Sequence, residues 1–284
     1  MFSSDQINKI GKEISNKVEG KTLFDDFSRG RYSTDASVYQ IKPIGVVLPR
    51  DTNDVLNVME YSQQNSIPLL ARGGGSSQCG QTVGESIVLD YSRHQNKILD
   101  LNVKEKSIWV EPGVVLDHLN AYLKPHGLWF PVDVSTSSRA TIGGMSANNS
   151  CGSRSLYYGN MVHNVLAIET ILDDGSIHTF DEIQKNYLVE KNNQDRLYKI
   201  IDKFIDLRQK VGAEIDENWP TTQRRVGGYN IDLIDPNGFN SSNLLVGSEG
   251  TLSLFNKIKL KLSEIPKNKI LGVCYFIIFI KQWS

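Results

Sequence analysis

Three consecutive glycines directly after an apolar stretch constrain this chain more than any other feature. Ile67-Pro68-Leu69-Leu70-Ala71 reads as a buried strand, and it runs straight into Arg72-Gly73-Gly74-Gly75-Ser76-Ser77. Glycine gives up more backbone freedom on folding than any other residue, so a run of it marks backbone that must take positive φ or come close to a ligand. Successive exposed N–H groups form a concave nest for an anion, and the Ser76 and Ser77 hydroxyls add donors to it. A diphosphate is the natural guest. The Walker pattern requires a lysine after its second glycine, and none is present; counted from Gly73, the third glycine of the Rossmann pattern falls on Gln78. Taken alone, the loop is better explained as a turn that joins two strands.

A second stretch changes that balance. Ala140-Thr141-Ile142-Gly143-Gly144-Met145-Ser146-Ala147-Asn148-Asn149, about seventy residues further on, is again small, glycine-rich and supplied with hydroxyls and amides. Two such stretches, each beside β-structure, suggest the two walls of one extended, phosphate-bearing site. Residue chemistry reaches as far as a dinucleotide-like ligand outside the Rossmann class and does not identify a flavin.

The rest of the chain alternates short strands and helices. Ile7, Ile10, Ile14 and Val18 mark an amphipathic helix over residues 5–20, followed by a polar loop from Asp25 to Ser37. Gly45 to Leu48 reads as a strand, and Asp51 or Thr52 caps a helix carrying Val55, Val58, Met59 and Ser62. Strands follow at 86–90, 98–101 and 107–111, then a helix with Val115, Leu116, Leu119 and Leu123 inward, closed by Gly127. Val165 to Leu172 turns at Asp174-Gly175 and returns through Ile177 to Phe180, a hairpin signal. A helix spans 195–211, and a last strand alternates through Ile258, Leu260 and Leu262. The expected class is α+β.

Composition excludes several functions. Lys+Arg 31 against Asp+Glu 32 leaves no basic excess for nucleic acid. Three widely spaced cysteines, Cys79, Cys151 and Cys274, argue against a disulfide framework or a zinc site and fit a reducing, cytoplasmic location. The five histidines show no ligand pairing, so no metal is expected. The N-terminus has no signal-peptide pattern. The apolar run Ile270 to Ile280 is shorter than the roughly 20 residues a bilayer span needs and reads as a strand; peripheral contact with a membrane is left open.

Eight motifs in order carry a family resemblance. They are Pro49 to Val55, Arg72 to Gln81, Ile87 to Asp90, Glu111-Pro112-Gly113, Pro131-Val132-Asp133, Ala140 to Gly152, Tyr158-Gly159 and Gly247 to Leu252. Together they resemble the FAD-binding domain of the vanillyl-alcohol oxidase and p-cresol methylhydroxylase superfamily, in its D-lactate, glycolate and D-2-hydroxyglutarate dehydrogenase branch. The resemblance implies a two-lobed FAD-binding domain of the p-cresol methylhydroxylase type, with mixed sheets and flanking helices, over residues 41–265. A helix and lead-in segment fill 1–40, and 266–284 would begin a substrate-cap domain that the sequence does not complete.

The resemblance assigns Arg72, Gly73, Gly74, Gly75, Ser76 and Ser77, with Gln81, to the FAD pyrophosphate. It assigns Thr141, Gly143, Gly144, Ala147 and Asn149 to the ribityl and phosphates, and Tyr158, Gly159 and the strand around Ile168 to the adenosine half. Pro131 and Asp133 would lie near the isoalloxazine, Glu249 in a motif returning to the cofactor, and Arg225 and Tyr229 in a segment facing the substrate. Some relatives attach FAD through a histidine in the first loop; none stands here, which implies noncovalent attachment. The implied activity is hydride transfer from a small D-2-hydroxy acid to flavin N5, with no residue assigned as the base. A partner chain supplying a cap or iron–sulfur domain, a non-catalytic FAD-binding fragment, and a reductase of a UDP-sugar cell-wall precursor are the alternatives.

Overall fold

The structure is a computed structural model that describes residues 2–184, 195–222, 224–268, 270–273 and 275. Its apolar residues are divided between two sheets, each with its own core. The first sheet joins Lys21–Leu23 (β1), Gly45–Leu48 (β2), Leu69–Arg72 (β3) and Ile87–Asp90 (β4) in the order β1-β2-β4-β3. The last three run parallel, and β1 pairs antiparallel at the edge. Strands covered on both faces need unbroken apolar runs, which is how β2 and β4 read and why both are buried throughout.

Successive side chains point to opposite faces. Val47, Ile87 and Leu89 therefore meet α1 (Ser4–Ser15), through Ile7, Ile10 and Ile14, and α3 (Thr52–Gln64), through Val55, Val58 and Met59. Val46 and Val88 face the other way, toward Leu23 and Tyr32, just past α2 (Asp26–Arg31). The N-terminal helix is thus an integral part of the first lobe. It stops at Ser15 rather than 20, and Val18 packs against the same core from the turn beyond it.

Asp51 caps α3, its carboxylate accepting from the N–H groups of Asn53 and Asp54. Asp54 does more. Its buried carboxylate accepts from the backbone N–H groups of Glu19 (2.8 Å), Gly20 (2.8 Å) and Arg50 (2.7 Å), tying three segments together.

The second sheet is antiparallel throughout: Ile98–Asn102 (β5), Ser107–Val110 (β6), Leu254–Lys261 (β12), Val165–Ile171 (β8) and Ile177–Phe180 (β9), in the order β5-β6-β12-β8-β9. β12, late in the sequence, sits at the centre, so this sheet closes only when the chain has returned to it. Smaller pairs, Leu128–Trp129 (β7) with Ser263–Glu264 (β13) and Glu182–Gln184 (β10) with Gly238–Asn240 (β11), flank it. Ile108, Val110, Ile258, Leu260 and Phe180 join the core, covered by α4 (Leu116–Leu123), the short α5 (Ile142–Ala147) and α7 (Arg196–Asn218). A single turn, α6 (Ser155–Tyr158), follows α5.

The hairpin turns at Asp174-Gly175, with Gly175 at φ +82°. Hydrogen bonds from Ser176 hold the Asp174 carboxyl at about 2.

Four expectations are corrected. Helix α7 runs on to Asn218, well beyond 211. Val115 caps α4 instead of facing inward, because its carbonyl already belongs to the first turn. Much of the second glycine stretch is helix α5, since Thr141 can cap what composition alone reads as loop. Residues 270–273 form no strand: Ile270 is 97% exposed and Leu271 88%, with no neighbouring strand to satisfy their backbone. The remainder of that run, from Phe276, lies outside the described residues. Among the described residues, no helix is long and apolar enough to cross a membrane.

The Asp54 junction predicts that Asp54→Ala lowers stability by about 3 kcal/mol in urea unfolding, as three backbone donors to a charged acceptor are left unpaired in the interior.

Candidate functional site

A cleft between the lobes encloses about 1020 Å³ of space, counting its solvent-open mouth. The end of β3 and the loop after it, residues 71–77, form one wall. Residues 140–150 form the opposite wall, and the turn at 249–250 closes one side.

The two walls touch because glycine lacks a side chain. A Cβ on Gly73 would run into the Thr141 side chain, and one on Gly74 into the carbonyl of Arg139. Gly75 has φ +63°, and a Cβ there would lie 2.6 Å from an Arg72 nitrogen. In the opposite wall, a Cβ on Gly143 would come within 2.6 Å of Pro112. Among the described residues, no protein acceptor takes the backbone N–H groups of Gly74, Gly75, Ser76 or Ser77. Four adjacent free donors beside a cavity are the nest the sequence suggested. The second wall offers fewer: the Gly143 N–H donates to Pro112 O (2.8 Å) and the Gly144 N–H to the Thr141 hydroxyl (3.4 Å).

Arg72 lines the cleft, yet its guanidinium is largely engaged elsewhere. It donates to the carbonyls of Tyr32 (3.3 Å), Thr82 (3.0 Å) and Thr34 (2.8 Å), and it lies 5.2 Å from the centre of the Tyr32 ring. It therefore pins the lead-in segment against the glycine loop and contributes positive charge from behind. Among the described residues, no other basic side chain lines the cleft.

Among the described residues, Glu249 is the only acid in the lining. It sits at φ +51°, a left-handed conformation that costs a non-glycine residue energy. The turn is docked on the last carbonyls of α5: Gly247 N–H donates to Ser146 O and Glu249 N–H to Ala147 O, each at 3.0 Å. The Glu249 carboxylate accepts from Gln81 Nε2 at 3.1 Å, and the Gln81 carbonyl accepts from the Ser77 hydroxyl. Ser77, Gln81 and Glu249 thus form a polar chain between the lobes.

The structure brings together Arg72, Gly73, Gly74, Gly75, Ser76, Ser77, Gln81, Thr141, Gly143, Gly144, Ala147 and Glu249. Other residues singled out from the sequence stand outside the lining. Ile168 is fully buried in the second core. Asn149 is buried, with φ +47°, and its carbonyl accepts from Val162 N–H (3.0 Å). Asp133 accepts from the Ser153 hydroxyl (2.7 Å) and Arg154 N–H (3.1 Å), so it shapes a turn next to Pro131 and Val132, both of them buried. Tyr158 and Gly159 end α6, where Tyr158 packs edge-on to Trp129.

Arg225 is held by Asp232 (2.6 Å) over the Trp219 ring (5.0 Å), and Tyr229 shares a hydrogen bond with Thr251 (2.8 Å). Arg225 is not brought to the cleft because that half-buried pairing already occupies it.

Sequence reasoning passed over Tyr91, Thr136, Met145, Ser253 and Phe255, which also line the cleft. Pro112 stood in a noted motif without a role. No local pattern marks Tyr91, which follows a buried strand as an ordinary core residue would.

The fork geometry at Arg72 predicts that Arg72→Lys, which keeps the charge, still lowers stability by about 2 kcal/mol in urea unfolding; a point cation cannot reach three carbonyls.

Comparison with known proteins agrees with this geometry. The profile of the FAD binding domain matches residues 43–181. Over 266 residues the chain is 34% identical to D-2-hydroxyglutarate dehydrogenase of Haemophilus influenzae, covering 89% of this chain and 26% of that protein. Over 268 residues it is 29% identical to glycolate oxidase subunit GlcD of Bacillus subtilis, covering 93% of this chain and 47% of that one. The chain thus spans about a quarter of the length of the first of these and about half of the second. An alkyldihydroxyacetonephosphate synthase shares the fold with a TM-score of 0.65 at 18% identity, over 92% of this chain and 41% of that one. Residues 43–181 thus match the FAD binding domain family, and the chain is similar to one part of the D-2-hydroxyglutarate dehydrogenases.

Proposed function

We propose that the chain binds FAD noncovalently in the cleft between its lobes and that, within the full-length protein, this domain serves the oxidation of a D-2-hydroxy acid at its CH–OH carbon. The carrying observation is the row of free N–H groups at Gly74 to Ser77, beginning at a glycine whose Cβ would run into the opposite wall. A diphosphate needs that close approach to backbone. The Ser76 hydroxyl, which accepts from Thr136 (3.4 Å), adds a donor beside it. The Glu249 carboxylate would repel a phosphate and suits the hydroxyl groups of the ligand's sugar-like chains. Among the described residues, no histidine or cysteine lines the cleft, which supports noncovalent attachment.

Bound FAD supplies the acceptor for the electron pair that leaves the substrate carbon. This chain's residues hold and orient that group: the glycine loop grips the diphosphate, Arg72 offsets its charge, and Gln81 keeps Glu249 aimed across the cleft. In this reading residues 41–265 are the FAD-binding domain, with 1–40 leading into it. Residues 266–284 begin a cap, and the cap or a partner chain supplies the groups around the substrate. The hydroxy-acid class follows from the names of the relatives.

The purified chain is expected to show a flavin absorption spectrum, or to acquire one on adding FAD, and to release the colour into the supernatant on acid precipitation. A folded, colourless chain that takes up no added FAD would overturn the reading; colour that stays with the pellet would overturn noncovalent attachment. In the full-length protein, a D-2-hydroxy acid such as D-2-hydroxyglutarate should bleach the flavin under anaerobic conditions.

Gly74→Ala pushes against the Arg139 carbonyl and should weaken FAD binding at least about tenfold, the equivalent of one good hydrogen bond. Gly30→Ala, where a Cβ meets open space, should leave FAD binding unchanged in the same titration.

A further inference from the structure

The turn from Val246 to Thr251 carries Glu249 in a backbone conformation that nothing inside the turn accounts for. Three of its four inner residues are left-handed: Gly247 at φ +85°, Glu249 at +51° and Gly250 at +78°. A turn of that kind persists only where its surroundings over-determine it. Two of its N–H groups, those of Gly247 and Glu249, are docked on the last carbonyls of α5. Its two shoulders, the Val246 carbonyl and the Thr251 side chain, must be fixed from elsewhere.

Two adjacent residues of another segment hold both shoulders. Asn230, 3% exposed, donates from its side-chain amide to Val246 O at 2.7 Å and to Asn243 O at 3.1 Å. The Thr251 hydroxyl donates to Ser248 O at 2.6 Å, so its one hydrogen is committed. The Tyr229 hydroxyl is therefore the donor in the 2.8 Å bond between Tyr229 and Thr251. The backbone just before these two residues lies against the same turn, where a Cβ on Gly247 would stand 3.1 Å from Gly228 O. The segment is itself anchored in the second lobe, the Arg225 carbonyl accepting from Asn160 Nδ2 at 3.0 Å.

We infer that Tyr229 and Asn230 are positioning residues of the cofactor site: they clamp the turn at both shoulders and so fix the direction in which the Glu249 carboxylate crosses the cleft. The inference rests on the FAD reading above. Glu249 is a point where the second lobe reaches the first, its carboxylate accepting from Gln81 Nε2. A turn free to relax would let that carboxylate swing away from Gln81 and from the ligand hydroxyls it suits. The two clamping groups are chemically distinct. An amide at 230 offers hydrogens to two carbonyls at once; a carboxylate there has none to offer. A phenol at 229 supplies a hydrogen to a hydroxyl whose own is already committed. Neither side chain lines the cleft, so both act through the turn.

The test titrates FAD against the wild-type chain, Tyr229→Phe, Asn230→Ala, Thr251→Val and Thr251→Ser, and repeats Tyr229→Phe in Glu249→Ala and Ser76→Ala backgrounds. Losing a shoulder bond should weaken FAD binding about fivefold in Tyr229→Phe and Thr251→Val, and about tenfold in Asn230→Ala, which loses two. Thr251→Ser, which restores the hydroxyl, should recover the affinity that Thr251→Val loses. In the Glu249→Ala background, Tyr229→Phe should cost less than about twofold, because the group it positions is gone; in the Ser76→Ala background its full loss should persist. Wild-type affinity in both Tyr229→Phe and Asn230→Ala would overturn the inference. So would an undiminished loss in the Glu249→Ala background, which would mark a general loosening of the fold. Tyr229 is 45% exposed, so Tyr229→Phe carries the test should Asn230→Ala fail to fold. A wild-type chain that takes up no FAD would instead sink the cofactor reading, and this inference with it.

Discussion

The contact between the two glycine-bearing walls governs the rest of the structure. Gly73 and Gly74 press against Thr141 and Arg139, so the first lobe's sheet and the second lobe's helix α5 meet backbone to backbone along the cleft. Side chains at these positions would hold the walls apart by the width of a methyl group or more. The free N–H groups would then lose the narrow cleft that lets them converge on one ligand. Around this contact the chain places further ties between the lobes: Thr52 to Asn256 at 2.8 Å, and Gln81 to Glu249.

Electrostatics in the cleft is economical. The chain is near neutral overall, and among the described residues the lining holds one basic and one acidic side chain. In the proposed FAD complex, holding the diphosphate would therefore fall to oriented backbone dipoles whose positions are fixed before the ligand arrives. The single arginine is locked by three carbonyls, so its charge is fixed in place. Glu249 is held in a left-handed backbone conformation by the carbonyls of α5, and that strain sets which side of the cleft carries the negative charge.

Local elements were largely legible. Strand Gly45–Leu48, the Asp51 cap and the Asp174-Gly175 hairpin appear where apolar runs and turn residues place them. Each is decided by neighbours within a few positions. The errors have the same origin in reverse. Whether the stretch after Thr141 becomes helix depends on Pro112 and Val114, whose carbonyls receive the N–H groups of Gly143 and Ile142 from another segment. Residues 270–273 are apolar enough for a strand, but a strand needs a partner, and no sequence pattern supplies one.

The amino-acid sequence by itself determined that the chain has two glycine-rich stretches, an α+β body and a near-balanced charge, because glycine spacing, apolar periodicity and charge balance are properties of the chain. Only the tertiary structure decided which residues face the ligand. It drew Tyr91 and Ser253 into the cleft from separate lobes, committed Arg225 to Asp232 and Trp219, buried Ile168 in the core, and turned the Arg72 guanidinium toward carbonyls. The physical reason is that a side chain's partners are set by packing between segments far apart in sequence, and that packing leaves no mark on the residues nearby.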